Sequence, residues 1–350
     1  MGFHEVRVAL HVHSRYSDGS GSVEAIVRAA RDLVDVVWLT DHDGLLARDS
    51  PGEGRYGRVM LLVGTEMTPA TDHILVLGTD FVPDRDRPLQ EALALVAAGG
   101  GLSFVAHPED PGNPVLHLPS YRWTQRDLDT FTGLEVWNHL SQWMRKIHGF
   151  RSGLGAILHP LSGADAPDPA ALQLWDALAC ERPVVGVAGL DAHAVRVPWR
   201  GFGVPIFPYR SAFSWIANHV WTTAPMSDSS PAEARRLLLE AFAAGRVVMV
   251  NESQGRSPGP WVTGIGASDS VPVGGRVRWR PGARLVVESS VAARVEAVRQ
   301  GWRSGPYGIR PGRPLEIGVP APGAMRLELA REDRGRRTPW AYTNPIYFHD

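Results

Sequence analysis

Apolar residues in the first two thirds of the chain fall into short β-rich runs that alternate with helical patterns. Residues 6–12 read as a strand, and a turn leads into a helix from about 22 to 31. That helix has Ser22 at the cap and Val23, Ile26, Val27 and Ala30 on one face. Further strands are expected at 36–40, 60–63, 74–77, 102–106, 133–137, 184–189 and 247–250. Helices are expected at 89–98, 169–179 and 231–244, the last capped by Ser230 and stopped by Gly245. Strands alternating with helices point to a parallel α/β architecture, a barrel more than an open sheet. After Glu252 the texture changes. Gly, Pro and Ser crowd residues 253–266, and short strands follow at 276–280, 283–287, 294–299, 315–319 and 325–329. This pattern predicts a small β-rich, sandwich-like domain over 253–350 behind a larger one over 1–252.

Composition narrows the class. Hydrophobic residues make up 44% of the 350 positions and charged residues 21%, the balance of a globular enzyme. A formal charge of −1 gives no basic field, so no nucleic-acid partner is expected. Cys180 is the only cysteine, which excludes an intrachain disulfide and a thiolate zinc site. The opening residues lack the charged and apolar regions of a signal peptide, and no apolar run reaches the ~18 residues of a membrane span. A cytoplasmic protein with no membrane partner is therefore expected.

The candidate chemistry lies just after successive strands. His11 and His13 end the first; alternation puts residues i and i+2 on one face, so both rings can reach one metal. Asp18 follows on a turn. Thr40-Asp41-His42-Asp43 ends the second strand, Gly64-Thr65-Glu66 the third, His73 opens the fourth, and Ala106-His107-Pro108 ends the fifth. Asp191 and His193 repeat the i, i+2 spacing after a later strand. Parallel barrels place their sites at the carboxyl ends of strands, so these segments would meet at one mouth. Imidazole and carboxylate donors suit Zn, Mn or Fe(II). They are too many for one tetrahedral ion, which implies two ions or three. Paired ions about 3.5–4 Å apart can bind a substrate oxygen, acidify a bridging water and stabilise a leaving group. Asp41 and Asp43 suit a ligand-orienting role better than ligation. Asn138 and His139 follow another strand and are expected to line the mouth and bind substrate, with Arg196 neutralising anionic oxygens. His4, His117, His148, His219 and His349 read as surface or structural residues, and His159, before Pro160, stays open. Trp137, Trp143, Trp199 and Trp221 read as packing residues.

The segments around His11-Val12-His13, Asp18, Asp41-His42-Asp43, Glu66, His107 and Asp191-Ala192-His193 resemble the polymerase-and-histidinol-phosphatase (PHP) family in order and rough spacing, over about residues 5–250. The resemblance implies a distorted (βα)7 barrel with a di- or trinuclear metal centre. It makes His11, His13, His42, Glu66, His107, Asp191 and His193 ligands, with Glu66 bridging two ions. Asp18 stands where members carry His or Asp, and His73 matches a segment supplying a further ligand. Glu66, Asp18 and His193 are the expected catalytic residues. Many members carry one more ligand between the positions of Glu135 and Asn138. Glu240 with Ala244-Gly245-Arg246, and the closing Thr343-Asn344-Pro345-Ile346-Tyr347, are similar to the CehA/McbA-type metallohydrolases. The helical insertion that nucleoside-phosphatase-like members carry between the His73 and His107 positions is missing. The implied activity is hydrolysis of a small-molecule phosphoester by a metal-bridging hydroxide. Carboxyl or carbamate ester hydrolysis is the alternative, and a non-catalytic metal-binding module, which would show eroded ligands, the third.

Overall fold

Ser22 accepts a hydrogen bond from the Ala25 amide at 3.3 Å and starts α1 (Val23–Ala30), which buries Val23, Ile26, Val27 and Ala30. The computed structural model describes residues 2–49, 52–149, 151–153, 155, 166–199, 202–333 and 335–350. Its first strands are β1 (His4–Val12), β2 (Val36–Leu39), β3 (Gly54–Tyr56), β4 (Val59–Val63), β5 (Thr65–Met67), β6 (Ile74–Leu77), β7 (Leu102–Val105), β8 (Gly133–Asn138), β9 (Val185–Gly189), β10 (Arg196–Trp199), β11 (Phe202–Pro205), β12 (Ile216–Thr222) and β13 (Val247–Asn251). With them stand α2 (Leu89–Ala98), α3 (His139–Met144), α4 (Pro169–Glu181), α5 (Tyr209–Phe213) and α6 (Pro231–Ala243). The rest of the chain is strand: β14 (Trp261–Ile265), β15 (Ser270–Pro272), β16 (Arg276–Arg278), β17 (Arg284–Glu288), β18 (Ala293–Arg299), β19 (Trp302–Ile309), β20 (Leu315–Gly318), β21 (Gly323–Asp333), β22 (Arg336–Thr343) and β23 (Ile346–His349).

The protein is thus mixed α/β with extensive sheets. A five-stranded sheet runs β5-β6-β7-β8-β9, and a twelve-stranded one contains β3-β4-β2-β1-β12-β13-β22-β21-β23-β16. The parallel pairing expected from the alternation holds for β1–β2, β2–β4, β7–β8 and β8–β9. It fails elsewhere: β5, β6 and β7 pair antiparallel, and so do β1–β12 and β12–β13. The two sheets meet at several places, two of them at strand ends near the candidate residues. At one seam Gly64 alone separates β4 from β5, and a Cβ there would lie 2.5 Å from the Val76 carbonyl oxygen, so the bend requires glycine. At the other, the Leu190 amide donates to the Leu10 carbonyl at 3.0 Å, beside β9.

A core containing Leu10, Trp38, Leu62, Leu75, Phe104, Val187, Leu238 and Phe242 fills the space between these strands and α6. A second core, with Val262, Leu285, Val295, Leu327 and Trp340, lies within the later strands. The sheet runs unbroken across position 252, because β13 pairs with β22. The closing residues also return to β9: the Asn344 side chain exchanges two 2.8 Å hydrogen bonds with Gly186, and the Tyr347 hydroxyl accepts from the Val184 amide at 3.0 Å. Among the described residues no helix is long and apolar enough to cross a membrane.

Candidate metal centre

Glu66 on β5 is the hub. Its backbone pairs with the segment that follows β2, the Glu66 amide donating to Asp41 and the Asp43 amide to Glu66, which brings His42 alongside. Five imidazoles surround its carboxylate. Glu66 Oε2 lies 3.2 Å from His11 Nε2, 3.3 Å from His13 Nε2 and 3.2 Å from His42 Nδ1. Glu66 Oε1 lies 3.0 Å from His73 Nδ1 and 3.2 Å from His107 Nε2. Asp191 Oδ1 stands 3.4 Å from His11 Nε2, 3.5 Å from His13 Nε2 and 3.5 Å from His193 Nδ1. Asp18 Oδ2 stands 3.1 Å from His193 Nε2 and 3.5 Å from His42 Nε2. Within these contacts lie four groups able to hold a metal ion: His13, Asp18, His42 and His193; His11, His107 and Asp191; His11, His13 and Glu66; Glu66, His73 and His107.

The donors fit metal ions better than hydrogen bonds. Two carboxylate oxygens cannot satisfy five ring nitrogens, and His11 Nε2, both nitrogens of His13, His42 Nδ1 and His107 Nδ1 are buried without a hydrogen-bond partner. Neighbouring ligand atoms on a tetrahedral ion with bonds of about 2.0–2.1 Å sit roughly 3.3 Å apart, close to the separations above. The backbone is strained at the same place: His11, His107 and Asp191 have φ of 59°, 29° and 53°, a region that costs a non-glycine residue about 1–3 kcal/mol.

His11 and His13 do not converge by strand alternation. His11 takes a left-handed conformation, the register with β2 shifts between Ala9 and Val12, and His13 lies beyond the strand end. This bulge brings the two rings to 5.1 Å. The Tyr209 hydroxyl then donates towards the carbonyls of His13 (2.8 Å) and His193 (3.0 Å), tying the two ligand-bearing loops together.

Electrostatics favour positive charge at the hub. Burial disfavours ionised His11, yet Glu135, Asp191 and Glu66 outweigh it and hold the ring well above its usual value. Burial opposes charge on His107 and His193 too, but Glu66 and Asp18 respectively push them up to about 9. Burial would raise Glu66 and Asp191, and His11 leads the cations that instead hold both well below the usual carboxylate range. The carboxylates that raise these rings would equally favour a bound cation, and acid should compete with metal for the ring nitrogens.

The other expected residues fall as follows. Asp41 accepts from the Ser14 amide and hydroxyl and from Ser17, and Asp43 from Thr68 and Arg85, so both brace loops. Asn138 caps α3 through Ser141 and gives its amide to Glu135 (2.9 Å) and Asp191 (3.3 Å). His139 is wholly buried against Phe207 and Trp215 instead of lining the mouth, and burial, aided by Lys146, pushes it down to about 3. The Arg196 side chain and His159 lie outside the described parts.

Two residues escape sequence reasoning. Glu135, inside β8, orients His11 by a 2.7 Å contact to its Nδ1 and accepts the His107 amide at 2.7 Å. Its signals were a carboxylate within an apolar strand and the family resemblance, which points to the segment from Glu135 to Asn138 without choosing a residue. Tyr121 lies in a long loop with no pattern, yet its ring sits 4.5 Å from His73 and 6.2 Å from His107. Glu135 also dictates its neighbour, since a Cβ on Gly189 would lie 1.5 Å from Glu135 Oε1. Gly189→Ala should therefore displace Glu135 and weaken metal affinity about 10–100-fold, as loss of a ligand's hydrogen-bonding partner does. Chelator competition measures this, and wild-type affinity in the variant would show that Glu135 does not orient His11.

Comparison with known proteins finds no matching family and no matching curated protein. One solved structure similar to the chain is described as a two-domain protein containing a predicted PHP-like metal-dependent phosphoesterase, from Bacteroides vulgatus ATCC 8482. Identity is 14%, coverage is 98% of this chain and 95% of that one, and the TM-score is 0.46.

Proposed function

We propose that the protein is a metal-dependent hydrolase acting on a small-molecule phosphoester, a phosphomonoester first. The observation that carries this reading is the convergence of five imidazoles on the buried Glu66 carboxylate, with Asp191 and Asp18 beside it. In this proposal the two sheets form the distorted (βα)7 barrel of the PHP family, residues 253–350 are a β-rich domain joined to it through β13 and β22, and the chain is kin to the CehA/McbA-type enzymes.

His11, His13, Glu66 and Asp191 would hold one ion and Glu66, His73 and His107 a second, with Glu66 shared. Asp18, His42 and His193 would hold a third. Nitrogen and oxygen donors without thiolate suit Zn, Mn or Fe. Bound there, such ions supply Lewis acidity and an acidified water. The chain's own residues do the rest. Glu135 fixes the His11 ring, and the Asn138 amide donates to both Glu135 and Asp191 and orients them. Asp18, whose side chain is 55% exposed, would with His193 orient the attacking water at the open rim. Arg196 is the proposed partner of the phosphoryl oxygens.

Elemental analysis of the purified chain, with turnover of a generic aryl phosphate before and after chelation and re-addition of Mn or Zn, tests the reading. Two or more ions per chain, and activity that leaves and returns with them, are expected. A chain that binds fewer than two and stays inactive with added metal would sink it.

A further inference from the structure

The metal centre is closed on one side and open on the other. Tyr121 covers His73 and His107, and its loop is pinned where Asp72, next to His73, accepts hydrogen bonds from Thr124 and Gln125. Behind His107 the cavity is only about 20 Å³, room for one water-sized group. On the opposite side the Asp18 and His42 side chains are 55% and 29% exposed, against 1% for Glu66. There a pocket of about 360 Å³ opens, with His42 in its wall.

The lining of this pocket is unusual for a site expected to take a polar ester. Its carboxylates are engaged elsewhere: Asp41 with Ser14 and Ser17, Asp43 with Thr68 and Arg85. Beside His42, the remaining wall is Tyr16, Gly44, Leu45, Leu46 and Val82. Leu46 is 65% exposed, and Phe81, next to Val82 in the chain, is 38% exposed. Isolated exposed leucines need no explanation, but an apolar wall continuous with a ligand cluster marks a place where apolar surface is meant to be covered.

On the reading proposed above, we propose that this pocket seats the organic group of the ester and selects an apolar one, aryl or branched alkyl, over a sugar or a polyanionic chain. The scissile group then enters at the Asp18 and His42 rim while its substituent lies on Leu45, Leu46 and Val82. Leu46 and Val82 are specificity-determining residues and take no part in the chemistry.

The test is calorimetric titration of the metal-reconstituted full chain with phenylphosphonate and methylphosphonate, whose carbon–phosphorus bonds resist hydrolysis. Phenylphosphonate should bind at least about tenfold tighter, the effect of seating a ring in an apolar pocket. In Leu46→Ser/Val82→Ser the ratio of the two affinities should fall to about one, with metal content and melting temperature close to wild type. Equal affinities in the wild type, or an undiminished ratio in the double variant, would overturn the pocket assignment. If a metal-loaded chain binds neither phosphonate, the phosphoester reading is what fails. The rates kcat/KM for ethyl phenylacetate and ethyl acetate then probe the same pocket: a preference lost in the double variant supports it, and none in the wild type overturns it.

Discussion

Glu66→Gln is expected to bring turnover to background and to remove at least one metal ion per chain, with the fold intact. Glutamine is isosteric, so the 1%-exposed side chain can stay where it is. What changes is chemical. One negative charge disappears from a cavity lined by His11, His13, His42, His73 and His107, and an amide nitrogen, a donor, replaces an oxygen that two or three ring nitrogens approach. Neither change suits cations, and Glu66 belongs to two of the four metal-holding groups, so the loss spreads beyond one position. Elemental analysis, aryl phosphate turnover and far-ultraviolet circular dichroism on one preparation decide it. Wild-type metal content in the variant would show that Glu66 is no ligand.

The largest stability effect is expected far from that centre. His219 on β12 is fully buried between two carboxylates: its Nδ1 lies 2.5 Å from Glu5 Oε1 and its Nε2 2.6 Å from Glu252 Oε1. Arg7 approaches Glu252 at 3.4 Å, and the Gly259 amide donates to Glu5 at 2.6 Å. The cluster joins β1, β12, the residue after β13 and the Gly-rich stretch beyond it. Removing one partner of a buried ion pair typically costs about 3–5 kcal/mol, and His219→Ala should fall in that range by urea denaturation. The pH dependence has a definite sign. Burial opposes charge on His219, but Glu252 and Glu5 raise it above its ordinary 6.5, so its contribution is full below 6.5 and drains away as pH rises through the folded value. Burial would raise Glu5, but His219 and the Gly259 amide hold it below its ordinary 4.5. Its contribution is full above 4.5 and is lost as pH falls through the folded value. The difference in unfolding free energy between wild type and His219→Ala should therefore be greatest between about pH 4.5 and 6.5 and shrink as pH rises through the folded value of His219. A difference independent of pH would show that His219 acts by packing alone.

What the sequence reveals here depends on whether a residue's partners are near in the chain. The helix expected at 22–31 forms at Val23–Ala30 because its cap and its apolar face are local features. The runs at 36–40 and 60–63 became strands because four consecutive apolar residues are stable only when buried on both faces, and 102–106 did so with Ser103 alone interrupting it. The residues that follow such runs emerge together at one end, which is why His42, Glu66 and His107 could be read as one centre. β12 was invisible for the opposite reason. Asn218 and His219 interrupt its apolar run, and both are satisfied only by distant groups, Asn218 by Ala188 and His219 by Glu5 and Glu252. Strand direction was equally hidden, since a short buried run such as Ile74–Leu77 fits parallel or antiparallel neighbours. His139 follows a strand end just as His107 does, but its ring enters a cage of Phe207 and Trp215 that no local pattern announces. In the later part β16, β17, β18, β20 and β21 match expected runs, while β19, with Gly305 and Pro306 inside it, does not look like a strand at all.

The return of Asn344 to Gly186 has a consequence for how the polypeptide is made. During synthesis β9, which precedes Asp191 and His193, leaves the ribosome 158 residues before the side chain that satisfies its Gly186 amide and carbonyl. The nascent chain therefore carries an unfinished strand edge beside its ligand cluster until Asn344 has left the ribosome, and the full pairing of that strand is a late event of folding.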